Sequence, residues 1–426
     1  MLTREENDLL TRTDGGTPGG EFMRAYWQPA GLVEELPPGG APLPVKLLGE
    51  ELVLFRDQQG RAGLLALHCS HRGADLSYGR IEDGGLRCIY HGWLYDVGGR
   101  CLEQPGEPAA STLRQAQGRP FHERIRHTAY PCQERAGIIF AYMGPGEPPL
   151  LPAYEFLEAH EDHAAVTKYF QECNYLQGNE GNFDPQHLSF LHRFFKPGEA
   201  DFRQTYHAQD PCPAIEPVET AFGMHLYAIR NVAPDRKFVK VRSFILPSAG
   251  AVGSRGDEGY TVNWHVPIDD EHHWRYNVNF RRDAPLDLGE RRRSRSSVAD
   301  NYRLKRNRAN RYLQDRDEMK TETFLGMGKD FVVHDTAATE SEGQIYDRTV
   351  EHLGYTDRGV IALRKLMFEG IKAVQEGLDP RGVVRDAEEN HFPDLVALDD
   401  LMSASEEWRG YWTRRPRVDQ PVGAGR

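Results

Sequence analysis

Cys69-Ser70-His71 and, after sixteen intervening residues, Cys88-Ile89-Tyr90-His91-Gly92-Trp93-Leu94-Tyr95-Asp96 are two short boxes that each pair a thiol with an imidazole. A glycine, Gly73 or Gly92, stands just past each pair, where a chain can turn tightly and bring its backbone close to a ligand. The residues around the boxes are short apolar runs cut by turn residues: Leu52-Val53-Leu54-Phe55, Asp57-Gln58-Gln59-Gly60, Leu64-Leu65-Ala66-Leu67. That pattern reads as β-hairpins. Trp93 to Arg100 repeats strand, glycine turn and returning strand, and residues 136–142 supply one more buried strand. Residues 44–150 are therefore predicted to form an all-β domain with the two boxes at hairpin tips.

Outside this domain the signals change. Thr3-Arg4-Glu5-Glu6 fits a capping box, Gly15 to Gly20 breaks the helix that follows, and a second amphipathic stretch runs over residues 21–27. Residues 1–43 are read as a helical segment that packs on the C-terminal domain, with Pro37-Pro38-Gly39-Gly40 as its boundary. Residues 151–426 mix strand signals (165–170, 225–231, 238–246, 260–266, 274–280) with helical ones (184–194, long polar helices over 287–322, and 335–376). This predicts an α+β domain with an antiparallel sheet.

Composition narrows the function classes. The 426 residues carry 52 Lys plus Arg against 64 Asp plus Glu, a net charge of -12 that repels a nucleic-acid backbone. No apolar run is long enough to span a membrane and the charged start lacks a signal-peptide core, so a cytoplasmic, non-membrane protein is expected. Six cysteines in a chain of this size do not make a disulfide scaffold, so their spacing is read as chemistry.

Thiolate sulfur is a soft anionic ligand and neutral imidazole an intermediate one. A set of Cys69, His71, Cys88 and His91 suits zinc, or a [2Fe-2S] cluster in which two His replace two Cys on one iron. Zinc knuckles usually separate paired ligands by about two to four residues, whereas a single residue separates Cys69 from His71. The spacing favours the cluster, each tip giving one Cys to one iron and one His to the other. Such a cluster only carries electrons, and residues 151–426 are far more than a carrier needs. In Asp184-Pro185-Gln186-His187-Leu188-Ser189-Phe190-Leu191-His192 the two His lie about 140° apart around an ideal helix and share a face only if it is distorted. Two His and a carboxylate on one face of iron(II) leave positions open for dioxygen. Asp335 is the candidate carboxylate, although spacing alone does not single it out.

The box Cys88-Ile89-Tyr90-His91-Gly92-Trp93-Leu94-Tyr95-Asp96 resembles the Rieske domain of ring-hydroxylating oxygenases, with Ile89 where Pro is common. The whole chain resembles the α subunits of Rieske non-haem iron oxygenases, in the branch of phthalate dioxygenase, phenoxybenzoate dioxygenase and related O-demethylases. Its Asp-x-x-His-x-x-x-x-His motif falls on Asp184, His187 and His192, and its later Asp with Glu five positions on falls on Asp335 and Glu340. The run Asp347-Arg348-Thr349-Val350-Glu351-His352-Leu353-Gly354 with Asp357 is similar too. Gly181 departs from the Asn common in relatives, with Asn182 adjacent, so no Asn is assigned near the iron.

The resemblance implies an all-β Rieske domain and a catalytic domain whose antiparallel sheet is covered by helices, helix-grip or START-like. It implies a [2Fe-2S] cluster on Cys69, His71, Cys88 and His91, iron(II) on His187, His192 and Asp335, and O₂ as co-substrate. Asp184 has two readings: an N-cap before Pro185, or, as the family implies, a carboxylate bridging a neighbouring subunit's cluster His to an iron His. No hydroxyl donor to the cluster sulfurs is matched, which leaves more negative charge on the cluster and predicts a low reduction potential.

The function expected is that of a terminal oxygenase that dioxygenates or monooxygenates an aromatic substrate, with O-demethylation by the same chemistry as the alternative. A non-enzymatic Rieske electron carrier is the rival from another class. No Gly-rich dinucleotide fingerprint is placed between a strand and a helix, so NAD(P)H electrons are expected through a separate reductase or ferredoxin. A homotrimer, or a hexamer of two stacked rings, is implied. The basic runs at 290–295 and 303–308 read as solvated helix faces, with docking of an acidic electron donor as the sharper alternative. No metal is assigned to His272-His273, since strand neighbours point to opposite faces.

Overall fold

The structure is a computed structural model that describes residues 1–107, 121–195, 202–253, 258–287, 289 and 297–414. The hairpin reading holds around the two boxes. Leu43–Leu47, Glu50–Arg56, Ala62–Ala66 and Ala129–Tyr130 form one four-stranded antiparallel sheet; Arg80–Glu82, Gly85–Arg87, Leu94–Tyr95 and Cys101–Glu103 form another. Between them lies a small core of Val53, Phe55, Leu65, Leu76, Leu86 and Tyr95.

The N-terminal segment is helical over Arg4–Thr11, with the Thr3–Glu6 capping box in place, and over Pro18–Arg24. It then departs from the helical reading. Trp27–Leu32 is a fully buried strand antiparallel to Ile138–Tyr142. Its Gln28-Pro29-Ala30-Gly31 core is a poor helix sequence, and burial against the 138–142 strand decides its state.

The C-terminal domain is built on an eight-stranded antiparallel sheet. Its path runs Ala164–Gln171, His273–Arg281, Gly259–Pro267, Ala249–Gly253, Arg236–Ile245, Gly223–Ala233, Ala214–Glu219, and Leu398–Ser403 also pairs on Arg236–Ile245. Tyr260, Val262, Trp264 and Val266 alternate with Thr261, Asn263 and His265, so one face of this strand is apolar core and the other is polar. The paired strand presents Arg275, Asn277 and Asn279 opposite those polar residues. The helices Tyr175–Asn182, Phe331–Ser341 and Arg358–Gln375 cover the sheet.

Two helical expectations fail. Residues 184–194 hold only the short 3-10 turn His187–Ser189. Of residues 287–322, 288 and 290–296 lie outside the described residues, and the rest contains a kinked 3-10 segment, Arg308–Leu313, and one turn of helix, Glu318–Thr321. Arg311, Tyr312 and Leu313 adopt positive φ there, and Arg306 donates to the carbonyls of Tyr312 and Leu313 at 3.2 and 3.0 Å. With only Leu304 and Tyr312 of this stretch in the core, there is no continuous apolar stripe to bury as a helix; Arg306 tethers the kinked segment instead.

Candidate active site

The two boxes close on each other as near-equivalent loops. The Cys69 carbonyl accepts from Gly73 N–H at 2.8 Å and the Cys88 carbonyl from Gly92 N–H at 3.1 Å. Both glycines have positive φ, +72° and +76°, which L side chains rarely adopt. Cys69 and Cys88 are each 3% exposed. The imidazoles lie further out, His71 half-buried and His91 exposed, with ring centroids 4.5 Å apart. His71 stacks on Trp93 at 4.5 Å, and its Nδ1 is buried with no hydrogen-bond partner among the described residues. An orphaned imidazole nitrogen beside buried thiols fits a metal ligand.

A single zinc would draw all four donor atoms to one point. Among the described residues, a set of at least three donor atoms lying within 4.8 Å of one another is found elsewhere, at His187, His192 and Asp335. The four box residues do not converge in this way, as ligands spread over two irons would not.

The structure corrects one expectation at the cluster. The Tyr95 hydroxyl lies 3.2 Å from Cys69 Sγ in a buried setting, and toward a metal-bound thiolate, which can only accept, the hydroxyl is the donor. The Tyr95 ring stacks on His127 at 4.7 Å. His127 Nε2 donates to the Ala66 carbonyl at 2.8 Å, leaving Nδ1 to accept from the Ser70 hydroxyl at 2.7 Å.

At the second centre, the chain leaves the helix Tyr175–Asn182 at Phe183, and Asp184 Oδ1 accepts from the N–H groups of Gln186 at 2.9 Å and His187 at 3.4 Å. These are the bonds expected of an N-cap before Pro185. Asp184 Oδ2 lies 3.6 Å from His187 Nδ1, so the carboxylate also addresses the far nitrogen of a candidate ligand. After the 3-10 turn, Phe190 leaves helical geometry at φ -128°. That distortion brings the His187 and His192 rings to 5.3 Å.

Asp335 arrives from the helix Phe331–Ser341, capped by Asp330. Its Oδ1 lies 3.0 Å from His192 Nε2 and 4.0 Å from His187 Nε2. Burial alone pushes the Asp335 carboxyl up, but His192, Arg275 and His187 outweigh it and hold the group well below the carboxylate range. Burial lowers the pKa of His192, with Asp335 opposing it. His334 Nε2 donates to the Gly328 carbonyl at 2.8 Å, so its Nδ1 accepts from His192 Nδ1–H at 3.2 Å. Two imidazoles and one carboxylate thus bring their donor atoms within 4.8 Å of one another, a donor set that suits iron(II).

Glu340 does not join the cluster; it accepts from Glu172 N–H at 2.8 Å and pairs with the Tyr312 hydroxyl. Arg348 and Arg364 both bind Glu180, at 2.8 and 2.6 Å, and Arg364 also pairs with Glu351. This buried charge network braces the helix that ends beside Asp184. His273 is engaged with the Cys173 carbonyl at 2.7 Å and with His265 at 2.9 Å. Arg303, from the second basic run, lies over Phe170 and 3.3 Å from Glu172.

A cavity of about 530 Å³ opens at His187, His192 and Asp335. An amide rail lines one side: Thr261 donates to Asn279, Asn279 to Asn277, Asn277 to Asn263, and Asn263 to Asn182, at 2.7–3.2 Å. Lys240 and Arg242 line it as well. Arg275 reaches Asp335 Oδ2 at 3.3 Å. Sequence reasoning missed these wall residues, although the polar residue at every second position of 261–265 and 275–279 was the signal.

Residues 26–116 match the Rieske [2Fe-2S] domain family and residues 141–424 match the family described as LigXa C-terminal domain like. The phthalate 4,5-dioxygenase oxygenase subunit of Pseudomonas putida is 34% identical over 97% of this chain and 95% of its own length. This chain is a Rieske non-haem iron oxygenase subunit. The 5,5'-dehydrodivanillate O-demethylase oxygenase subunit of Sphingobium sp. (strain NBRC 103272 / SYK-6) is 32% identical over 91% of this chain and 84% of its own. Among solved structures, an oxygenase and ferredoxin complex of carbazole 1,9a-dioxygenase superposes with a TM-score of 0.56 at 21% identity, covering 88% of this chain and 98% of that one. A Rieske oxygenase subunit carries a [2Fe-2S] cluster and a mononuclear iron, and uses O₂ with reductase-derived electrons. Among the described residues no helix is long and apolar enough to cross a membrane.

Proposed function

We propose that this Rieske oxygenase acts on an aromatic acid, binding the cluster through Cys69, His71, Cys88 and His91 and the iron through His187, His192 and Asp335. Arg242 is the observation that supports an anionic substrate. It is 5% exposed, donates to the Asn182 carbonyl at 2.6 Å, and keeps a buried Nε with no hydrogen-bond partner among the described residues. A guanidinium held in a cavity in this way gains from a carboxylate that takes up its remaining donors. Phthalate and dehydrodivanillate, named for the relatives above, are carboxylates. When bound, the iron supplies the site of O₂ activation. The chain's part is to orient the acid between Arg242 and the amide rail and to exclude bulk water.

O-demethylation is the second reading, since one of these relatives is an O-demethylase. Screening aromatic acids with and without methoxy groups, scored for ring oxidation against formaldehyde release, separates the two. Arg242→Gln should raise KM for the best acid by about tenfold to a hundredfold, the cost of about 1.5–3 kcal/mol for a lost charged hydrogen bond. An unchanged KM would exclude Arg242 from substrate recognition.

Delivery of electrons by a separate reductase or ferredoxin, and assembly into a ring of three subunits or two stacked rings, belong to the same proposal. Exposed large apolar side chains support the ring: Ile89 and Tyr90 beside His91, 59% and 57% exposed, and Val350 and Tyr355 in the C-terminal domain, 61% and 60% exposed. A head-to-tail contact joins unlike patches, and a closing rotation makes a ring.

A further inference from the structure

Behind the three-donor site lies a second cavity of about 210 Å³. It shares Gly181, Asn182, His187, Arg275 and Asp335 with the large cavity, and its remaining lining, Gly178, His265 and Glu342 included, is its own. His265 is 1% exposed. Its hydrogen-bond pattern fixes its tautomer. The Cys173 carbonyl can only accept, so His273 Nδ1 carries a proton and donates to it at 2.7 Å. Burial keeps His273 neutral, its pKa pushed down to about 4, so His273 Nε2 is an acceptor. It receives His265 Nδ1–H at 2.9 Å. Burial also lowers the pKa of His265, and the lone pair left on its Nε2 has no partner among the described residues. A buried acceptor in a cavity of this size, with Gln177, Glu342 and Asp335 among its other lining residues, is satisfied by water. Gly178 packs against the pair so closely that a Cβ would meet His273 Nε2 at 2.9 Å.

The geometry points to a hydrated compartment behind the iron site, anchored on His265 Nε2, that brings in the protons consumed when O₂ is reduced. This rests on the oxygenase reading of the site. Oxygenation takes up one proton for each electron the cluster delivers, whether both oxygen atoms enter the product or one leaves as water. The electrons come from the cluster and the protons from solvent. His265 stays neutral throughout; as a positioning residue it accepts a hydrogen bond from a water that passes its other proton toward the iron site and takes one in return from the next water in from solvent, so no hydroxide is left behind. The large cavity has to close over an aromatic acid, so a route that avoids it leaves the substrate dry while protons arrive.

The test has two arms on the full-length holoenzyme. A high-resolution crystal structure should show an ordered water within about 3.2 Å of His265 Nε2; a dry cavity overturns the proposal. The dithionite-reduced protein is then mixed with O₂ in H₂O and in D₂O, with phthalate present, and reoxidation is read at the cluster's visible band. His265→Phe should keep both metals but slow reoxidation by at least about tenfold and enlarge the solvent isotope effect. His265→Gln, whose amide oxygen can hold the water, should recover most of the rate. Wild-type rate and isotope effect in His265→Phe would overturn proton supply even with the water present. If His265→Phe does not fold, the His265→Gln isotope effect and the crystal decide. Absence of oxygenated phthalate would count against the substrate reading alone, since neither arm scores product.

Discussion

At the residue scale, Tyr95 shows how one hydroxyl sets a cofactor property. It sits 3.2 Å from Cys69 Sγ, wedged in place by His127. A donor to a cluster sulfur stabilises the more negative, reduced state and raises the potential. Tyr95→Phe should therefore lower the reduction potential by about 30–60 mV, equivalent to about 1 kcal/mol for one electron; a potentiometric titration with no shift would show that the hydroxyl does not act on the cluster. Iron content gives a second residue-scale prediction. His192→Ala removes one of the three convergent donors, so iron should fall from about three to about two per chain while acid-labile sulfide is unchanged. The cluster box was legible in sequence because ligand spacing is chemistry that survives any fold. Tyr95 stood in the same box and was passed over, since only the folded hairpin shows that its hydroxyl turns back to Cys69. Asp335 had no local signal at all, lying in another element far along the chain from His192, and only resemblance pointed to it.

At the element scale, the helix Tyr175–Asn182 holds both cavities to the sheet through two glycines with opposite surroundings. A Cβ on Gly178 would collide with the His265–His273 pair, whereas one on Gly181 would meet Thr339 Cγ2 at an ordinary 3.6 Å. Gly178→Ala should destabilise by about 1–3 kcal/mol through overpacking. Gly181→Ala should be neutral or gain up to about 1 kcal/mol of helix propensity. Urea unfolding of the two variants checks both, and equal effects would mean that the helix is not pressed on the histidines. This packing also explains what periodicity could not give. An ideal helix separates His187 from His192, yet the 3-10 turn and the break at Phe190 unite them. The strands were legible from alternation, because one face of the sheet is core. Residues 303–313 bury only Leu304 and Tyr312, too few for a helical stripe, and Arg306, expected on a helix surface, tethers the kinked segment instead.

At the scale of the whole molecule, the proposed ring would set the exposed His91 of one subunit against Asp184 of the next. Asp184 caps the turn that carries His187 and is 30% exposed, so it can meet a neighbour's imidazole without giving up its cap bonds. If electrons cross from one subunit to the next, a chain without a cluster and a chain without iron rescue each other. Cys69→Ser and His192→Ala, each inactive alone, should form mixed rings when co-expressed in equal amounts. An active junction needs an intact cluster on one side and intact iron on the other, which random mixing provides at about one junction in four. Turnover near a quarter of the wild-type value is therefore expected, measured with the same electron donor and a fixed total of protein. Mixed rings with no activity would place electron transfer inside a single chain and leave Asp184 with its cap alone.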